Sequence, residues 1–315
     1  MSAATGRGLV PRRLMRAIVR LTVRPLLTPT VPVRRQRRLL DAIGGVARLP
    51  RGTRVSTVEL GGRPAERIEP PGADPTRAVL YLHGGGFTVG SRTTHRALAA
   101  HLAAAAGSPV YVLDYRLAPE HPFPAALDDA TAAHDDLLRD GLDPGRVAMA
   151  GDSAGGGLAV AAAVRLRENG TPLPGALALI SPWADLTLTT VRDDPRDPML
   201  RRAWLRSCAA RYSGAADPGA PELSPLFADL AGLPPMLVHA GEDEILRVDA
   251  QRLCARARAA DVPVTERTLP GLWHVAHLHA GLVAESTAAA RELGAFLLGS
   301  IGDADGAGQA GARTA

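Results

Sequence analysis

The sequence predicts an α/β fold with a mostly parallel sheet of eight strands, helices on both of its faces and a helical cap. From residue 53 onward, short apolar runs alternate with stretches that have the 3.6-residue period of helices. Most of these runs are apolar at every position, which is typical of parallel strands covered on both faces. The chain has 315 residues, 46% of them hydrophobic, so it can bury one large core.

The N-terminal arm, residues 1–50, is predicted to be a helical cap segment. Residues 9–24 have helical periodicity, and the prolines that follow end this helix. Its apolar face holds Val10, Leu14, Ile18 and Leu21, and its charged face holds Arg12, Arg16, Arg20 and Arg24. A second short helix is predicted over 33–46. An apolar stripe usually packs against a core, which favours a cap over a helix lying on a membrane surface.

The α/β body is predicted over residues 51–298. Two short strands, 55–60 and 64–69, form a hairpin through Gly61 and Gly62. The other strands are predicted at 78–83, 110–115, 147–151, 176–181, 236–241 and 264–269, and the helices at 95–106, 124–139, 154–170, 248–260 and 285–298. An insertion at 183–232, rich in Pro, Asp and Arg, breaks the alternation and is assigned to the cap. Residues 299–315 are predicted to be a disordered tail.

Composition excludes several functions. All 36 basic residues are arginine, so a P-loop lysine, a Schiff-base lysine and a Ser–Lys nucleophile pair are excluded. Residues 1–40 carry ten arginines and no acid, which leaves 26 arginines against 32 acidic residues in the remainder. An acidic body argues against a nucleic-acid partner. No apolar run is long enough for a membrane span or a clean signal peptide, so a cytoplasmic location is expected.

The strongest catalytic motif is the segment Gly151-Asp152-Ser153-Ala154-Gly155. It follows a predicted strand and opens a predicted helix, which is the strand–turn–helix context that G-x-S-x-G requires. The tight turn needs small flanking residues, and it lifts the serine hydroxyl above the edge of the sheet. The helix N-terminus behind the serine favours developing negative charge. Ser153 is therefore the predicted nucleophile.

A second motif, His83-Gly84-Gly85-Gly86, ends the third predicted strand. An oxyanion needs backbone N–H groups that converge on one point, and glycines let the backbone approach a substrate closely. An HGGG-type loop after the third strand is typical of lipases and esterases. The motif therefore predicts an oxyanion loop, against the alternative of a plain glycine turn.

The acid and the base of the triad are expected after the nucleophile along the chain. Asp243 follows the predicted strand 236–241 and is the expected acid, with Glu242, Glu244 and Asp249 as rivals. Asp249 fits a helix N-cap better. His274 follows the last predicted strand and is the expected base.

The histidines at 274, 277 and 279 also form an H-x-x-H-x-H cluster that offers a metal site as an alternative. No acid lies near them in the sequence and H-E-x-x-H is absent, so no metal and no cofactor are predicted. His277 and His279 are instead expected on a helix face near the site. Cys208 and Cys254 have no metal or disulfide spacing.

Taken together, the motifs resemble a known family. The segments HGGGF, DYRLAPEHPFPAAL, GDSAGGGLA, SPWADL, SPLFADLAGLPPMLVHAGEDEIL and LWHVAH, over residues 50–298, are similar to the hormone-sensitive-lipase-like (family IV) bacterial esterases of the α/β-hydrolase fold. The form of the segment around His274 is similar to actinobacterial members, including monoterpene lactone hydrolases.

The resemblance implies roles for individual residues. Ser153, His274 and Asp243 would form the triad, and the N–H groups of Gly85, Gly86 and Ala154 the oxyanion hole. Supporting roles fall to His83, Gly84, Asp152 and Glu120; Glu120 matches a family glutamate with a structural role near the site.

The expected reaction is hydrolysis of short- to medium-chain acyl esters or lactones through an acyl-enzyme. A lactone- or amide-specific serine hydrolase, a metal-dependent hydrolase and a non-catalytic binder are the alternatives. Besides the small-molecule ester or lactone, a membrane surface reached by the arm and a second copy of the chain stay open as partners.

Overall fold

A computed structural model of the protein describes residues 9–45 and 48–302. The strands are β1 (Arg54–Leu60), β2 (Arg63–Glu69), β3 (Ala78–Leu82), β4 (Val110–Leu113), β5 (Val147–Asp152), β6 (Ala176–Ile180), β7 (Met236–Gly241) and β8 (Val264–Leu269). The helices are α1 (Arg12–Thr22), α2 (Val33–Gly44), α3 (Arg92–Ala106), α4 (Ala125–Arg139), α5 (Ala154–Glu168), α6 (Arg202–Ser213), α7 (Arg247–Ala259) and α8 (Ala284–Gly302). Each predicted strand and helix is present, with its ends shifted by a few residues.

The eight strands form a single sheet in the order β1-β2-β4-β3-β5-β6-β7-β8. The β1–β2 hairpin and the β2–β4 pair are antiparallel, and all other neighbouring strands are parallel. The prediction of a mostly parallel, eight-stranded sheet is therefore confirmed. The carboxyl ends of β3, β5, β7 and β8 meet at one edge, where active sites of such sheets form.

Helices cover both faces of the sheet, which explains the continuously apolar strands. Every residue of β3, β5, β6 and β7 is buried. One apolar cluster joins Val79 and Ala148 to side chains of α3 and α8, and a second cluster joins Leu80 and Met149 to α4, α5 and α7. Because neighbouring strand residues point to opposite faces, each of these four strands contributes to both clusters.

Two of the expected features differ in the structure. Helix α8 continues to Gly302, so residues 299–302 of the predicted tail are helical, and the rest of that tail lies outside the described residues. In α1, Met15 and Val19 are buried, whereas Leu14, Ile18 and Leu21 of the predicted core-facing stripe are exposed. The arginine face of the helix contacts the body instead.

No helix among residues 9–45 and 48–302 is long and apolar enough to span a bilayer. The expected cytoplasmic location stays a prediction.

Candidate active site

Ser153 lies in a tight turn between β5 and α5, as the motif predicts. Its backbone has φ 52° and ψ −120°, a strained combination for a residue with a side chain. A Cβ atom on Gly151 would lie 2.4 Å from the Gly155 carbonyl oxygen, and one on Gly155 would lie 2.0 Å from the Leu82 carbonyl oxygen. The two flanking glycines are therefore required by close backbone contact.

His274 contacts the nucleophile directly. Its Nε2 lies 2.9 Å from Ser153 Oγ, within hydrogen-bond distance, although the two residues are 121 positions apart. Both side chains are buried. The predicted nucleophile and base therefore form a pair with the geometry that proton transfer needs.

The carboxylate next to His274 belongs to Glu244, which corrects the expected acid. Glu244 Oε2 lies 3.5 Å from His274 Nδ1, and the Glu244 side chain is fully buried. This distance is long for a hydrogen bond. Ser181 Oγ donates to the same oxygen at 2.7 Å and receives the Val275 N–H at 3.3 Å. Ser181 therefore links Glu244 to the segment that carries His274.

Asp243 points away from His274. Its Oδ2 accepts a 2.6 Å hydrogen bond from Arg16 of α1, and its Oδ1 lies 3.7 Å from Arg196. Glu244, the next residue in this turn, faces His274, whereas Asp243 faces the arm.

The other two rivals for the acid also lie elsewhere. Glu242 accepts the Gly271 N–H at 2.8 Å. Asp249 is not an N-cap, because α7 begins at Arg247; it accepts the Ala184 and Asp185 N–H groups. Burial, assisted by the charge of Asp185, raises the pKa of Asp249 to about 7.

The surroundings of His274 raise its pKa above the ordinary value of 6.5. Burial is the largest influence and acts in the opposite direction, since it disfavours the imidazolium. The Glu244 carboxylate outweighs it through its polar contact and its charge, and Asp197 adds to the effect. The site therefore stabilises the cationic form of the His274 ring.

Asp197 is a second carboxylate near the base that the sequence did not single out. Its two oxygens accept the N–H groups of Met199, Leu200 and Ile245 at 2.7, 2.9 and 3.1 Å. Because Ile245 follows Glu244, these bonds fix the loop that carries the acid. Burial is the main reason that the pKa of Asp197 is raised.

The glycine loop after β3 has backbone angles that favour glycine. Gly85 and Gly86 have φ of 122° and 60°, in the region that glycine tolerates without strain. Within the described part of the chain, neither N–H donates a hydrogen bond, and Gly85 lines the same cavity as Ser153. Ala154 is the first residue of α5, where an N–H has no partner within the helix.

Asp152 fixes this loop to the nucleophile turn. Its buried carboxylate accepts hydrogen bonds from the Tyr81 hydroxyl at 2.8 Å and the Gly84 N–H at 2.9 Å, and His95 Nε2 lies 3.3 Å away. Burial opposes its ionisation, but His95, Tyr81 and the Gly84 N–H together hold the pKa of Asp152 below its ordinary value. His95 was missed because it precedes the site on an ordinary helix, without a motif.

His83 contacts the glycine loop from within the core. Its Nδ1 lies 2.8 Å from the Gly84 carbonyl oxygen, and its ring stacks on Tyr115 with 4.3 Å between the ring centroids. Burial lowers the pKa of His83 to about 3, so the ring is neutral and packs as part of the core. The Tyr115 hydroxyl donates to the His83 carbonyl oxygen at 2.6 Å.

Glu120 lies outside the cavity and half-exposed. It forms an ion pair with Arg37 of α2 at 2.8 Å, and Arg37 also donates to the carbonyl oxygens of Thr88 and Ala118. Its position fits the expected structural role, since it fastens the arm beside the glycine loop.

A cavity of about 410 Å³ lies above Ser153 and is lined almost entirely by apolar groups. The arm contributes a large share of the wall, including Met15, Ile18 and Val19 of α1, and Trp204 of α6 contributes from the insertion. Residues of both the arm and the insertion therefore line the cavity above Ser153.

The three histidines of the predicted cluster do not converge on a point. His274 faces Ser153, whereas His277 Nε2 lies 3.1 Å from His239 Nδ1. His279 lines the cavity and lies near Trp273. Over residues 9–45 and 48–302, no group of three or more His, Cys, Asp or Glu residues is arranged to bind a metal ion.

The geometry defines a class of protein: an α/β hydrolase with a serine nucleophile. A family model described as having the α/β-hydrolase fold matches residues 79–278. The chain is 46% identical over 250 residues to an acetyl-hydrolase of Streptomyces hygroscopicus, which covers 78% of this chain and 83% of the relative. It is 35% identical to the carboxylesterase/phospholipase LipF of Mycobacterium tuberculosis, with 93% and 83% covered.

Similarity to solved structures identifies the family within this class. An esterase from the bacterial hormone-sensitive lipase family superimposes with a TM-score of 0.86 at 42% identity, covering 91% of this chain and 98% of that one. A hormone-sensitive lipase from a metagenome library gives 0.88 at 34% identity, with 94% and 99% covered. The chain belongs to the hormone-sensitive-lipase-like (family IV) esterases of the α/β-hydrolase family, and it is an enzyme of the carboxylesterase class.

Proposed function

We propose that the chain hydrolyses short- to medium-chain acyl esters through a Ser153–His274–Glu244 triad and an acyl-enzyme. The observation that carries the proposal is the 2.9 Å contact between His274 Nε2 and Ser153 Oγ at the base of an apolar cavity. A carboxylate behind the histidine completes the arrangement that activates a serine hydroxyl.

In the first half of the reaction, His274 accepts the proton of Ser153 as Oγ attacks the ester carbonyl carbon. Negative charge then develops on the carbonyl oxygen, and the N–H groups of Gly85, Gly86 and Ala154 are proposed to bind it. His274 passes the proton to the alcohol as the C–O bond breaks, which leaves the acyl group on Ser153.

In the second half, a water molecule replaces the alcohol. His274 takes a proton from this water as its oxygen attacks the acyl-enzyme, and the acid is released when the proton returns to Ser153. The Glu244 carboxylate holds the imidazole ring in place and stabilises its cationic form.

The cavity supports an apolar acyl group as the part of the substrate that it binds. The acetyl-hydrolase of Streptomyces hygroscopicus is named for a short acyl group, which agrees with a short chain as substrate. Lactones and amides would use the same serine chemistry, so a panel of p-nitrophenyl esters, lactones and amides separates these alternatives by kcat/KM.

Replacing the nucleophile tests the proposal. Ser153→Ala removes the attacking oxygen and is expected to lower kcat for p-nitrophenyl butyrate by about 10⁵-fold or more. It should also abolish covalent labelling by a fluorophosphonate. Ser108→Ala, a buried serine before β4 at the opposite edge of the sheet, is the matched control and should remain active. Retained activity in Ser153→Ala would exclude the serine mechanism.

A further inference from the structure

Helix α1 exposes its apolar stripe, and three arginines of its charged face contact the body. Arg12 donates to the Pro270 carbonyl oxygen at 3.1 Å, Arg16 to Asp243 at 2.6 Å, and Arg24 to the Asp197 carbonyl oxygen at 2.5 Å. On the other side of the helix, Leu14 and Leu21 are 54% and 76% exposed. These arginines therefore fasten α1 to the body, and the apolar stripe is left facing solvent.

Most of the exposed apolar residues of the described chain belong to the arm. Nine large hydrophobic side chains are exposed within residues 9–45 and 48–302, and six of them belong to the arm. We call these six the cap patch: Leu9, Leu14, Ile18 and Leu21 beside or on α1, and Leu39 and Ile43 on α2. Ile18 and Ile43 also line the cavity, so the patch is continuous with the entrance to the site. Such concentration marks an interaction surface.

The positive charge around the cap patch indicates which kind of partner it binds. Arg13, Arg35 and Arg38 are exposed on the same two helices, and none forms an ion pair with another described residue. Residues 1–40 hold ten arginines without a single acid, whereas the rest of the chain is net acidic. An apolar helix face rimmed by arginine is suited to a bilayer surface that carries anionic headgroups.

We propose that the cap patch seats the enzyme on an anionic lipid surface, with the mouth of the cavity facing that surface. A second copy of the chain is a poorer occupant, because a symmetric contact through the patch would bring the two arginine-rich arms together. Binding of the cap patch to lipid does not depend on the proposed function. The inference that esters enter the cavity from the lipid surface rests on that function.

Vesicle co-sedimentation tests the seating. The full chain carrying Ser153→Ala, which cannot hydrolyse the lipid, is mixed with vesicles of phosphatidylglycerol and phosphatidylcholine in a 1:1 ratio, or of phosphatidylcholine alone. We expect binding to the anionic vesicles to exceed binding to the neutral ones by about tenfold or more and to weaken at high salt.

Variants of the patch identify the surface that binds. Leu14→Ser with Leu21→Ser, and separately Arg35→Gln with Arg38→Gln, should each weaken binding by about tenfold. Val55→Ser with Leu298→Ser removes two exposed apolar side chains of the body and should bind as the parent does. Leu14 and Leu21 do not line the cavity, so the same variants with Ser153 intact should keep their activity on soluble p-nitrophenyl butyrate.

Three outcomes would overturn the seating. The first is a parent chain that does not sediment with anionic vesicles, and the second is equal binding by the patch variants and the body control. The third is a homodimer in sedimentation velocity that Leu14→Ser with Leu21→Ser dissociates, because a second copy would then cover the patch. Loss of ester hydrolysis with normal vesicle binding would instead refute the proposed function and leave the seating intact.

Discussion

At the carboxyl edge of the sheet, Ser153, Glu244 and His274 are positioned by backbone geometry and buried hydrogen bonds. The arm closes the cavity differently, with a helix whose long arginine side chains reach the carbonyl oxygens and carboxylate of nearby loops. Buried short-range contacts define a position closely, whereas part-exposed arginine contacts are weaker and screened by solvent. The rate of the chemical step should therefore depend on the residues at the carboxyl edge of the sheet. Substrate selectivity should depend on the residues of the arm.

The largest effect is expected from the two neighbouring acids at the edge. Glu244→Gln leaves the shape of the site but removes the charge behind His274, so kcat for p-nitrophenyl butyrate should fall by about 10³-fold or more. Asp243→Asn is the matched control, because Asp243 contacts the arm and not the histidine; its kcat should stay within about threefold of the parent value. A larger fall in kcat for Asp243→Asn than for Glu244→Gln would show instead that Asp243 is the acid of the triad.

These acids also show what the sequence could and could not predict. The strands, the helices and the pairing of Ser153 with His274 follow from periodicity and from motifs in a defined strand–turn–helix context. Choosing between Asp243 and Glu244 requires the direction of each side chain in a turn, which a one-residue change in register reverses. Ser181 and Glu244 contact each other across 63 positions, so local patterns did not reveal that support.

The orientation of helix α1 in the arm also differs from the prediction. Its helix was predicted correctly, but the apolar stripe was expected to face the core. Arginine side chains reach backbone carbonyls across the interface, and Met15 and Val19 supply the buried apolar contacts of this face. Periodicity predicts that a helix has two faces, and the partners available in the body decide which face is buried.

A smaller, selective effect is expected where the arm lines the cavity. Val19→Phe adds a ring to a buried position of the wall, so kcat/KM for p-nitrophenyl octanoate should fall by about tenfold. The acetate ester needs less room and should be hydrolysed almost as before, which makes it the internal control. An equal loss for both esters would indicate damage to the chemistry and contradict the division between edge and arm.

The smallest effect is expected from the link between the two regions. Arg16→Gln removes the part-buried contact with Asp243 and should lower the free energy of unfolding by about 1 kcal/mol, a fall in Tm of about 2 °C. Arg20→Gln is the matched control on the same helix, since its 3.4 Å contact with the Pro195 carbonyl oxygen is exposed. Thermal unfolding followed by circular dichroism compares the two; equal Tm values would show that the Arg16 contact does not hold the arm.

The pH dependence of kcat/KM tests most directly whether Glu244 acts on His274. Only the neutral imidazole can accept the serine proton, so activity on soluble p-nitrophenyl butyrate should rise with pH through a pKa above 6.5. Removing the negative charge in Glu244→Gln destabilises the imidazolium, so this acidic limb should move to lower pH. It should stay in place in Asp243→Asn. An unchanged limb in Glu244→Gln, or a shift in Asp243→Asn alone, would contradict the assignment of Glu244 to the triad.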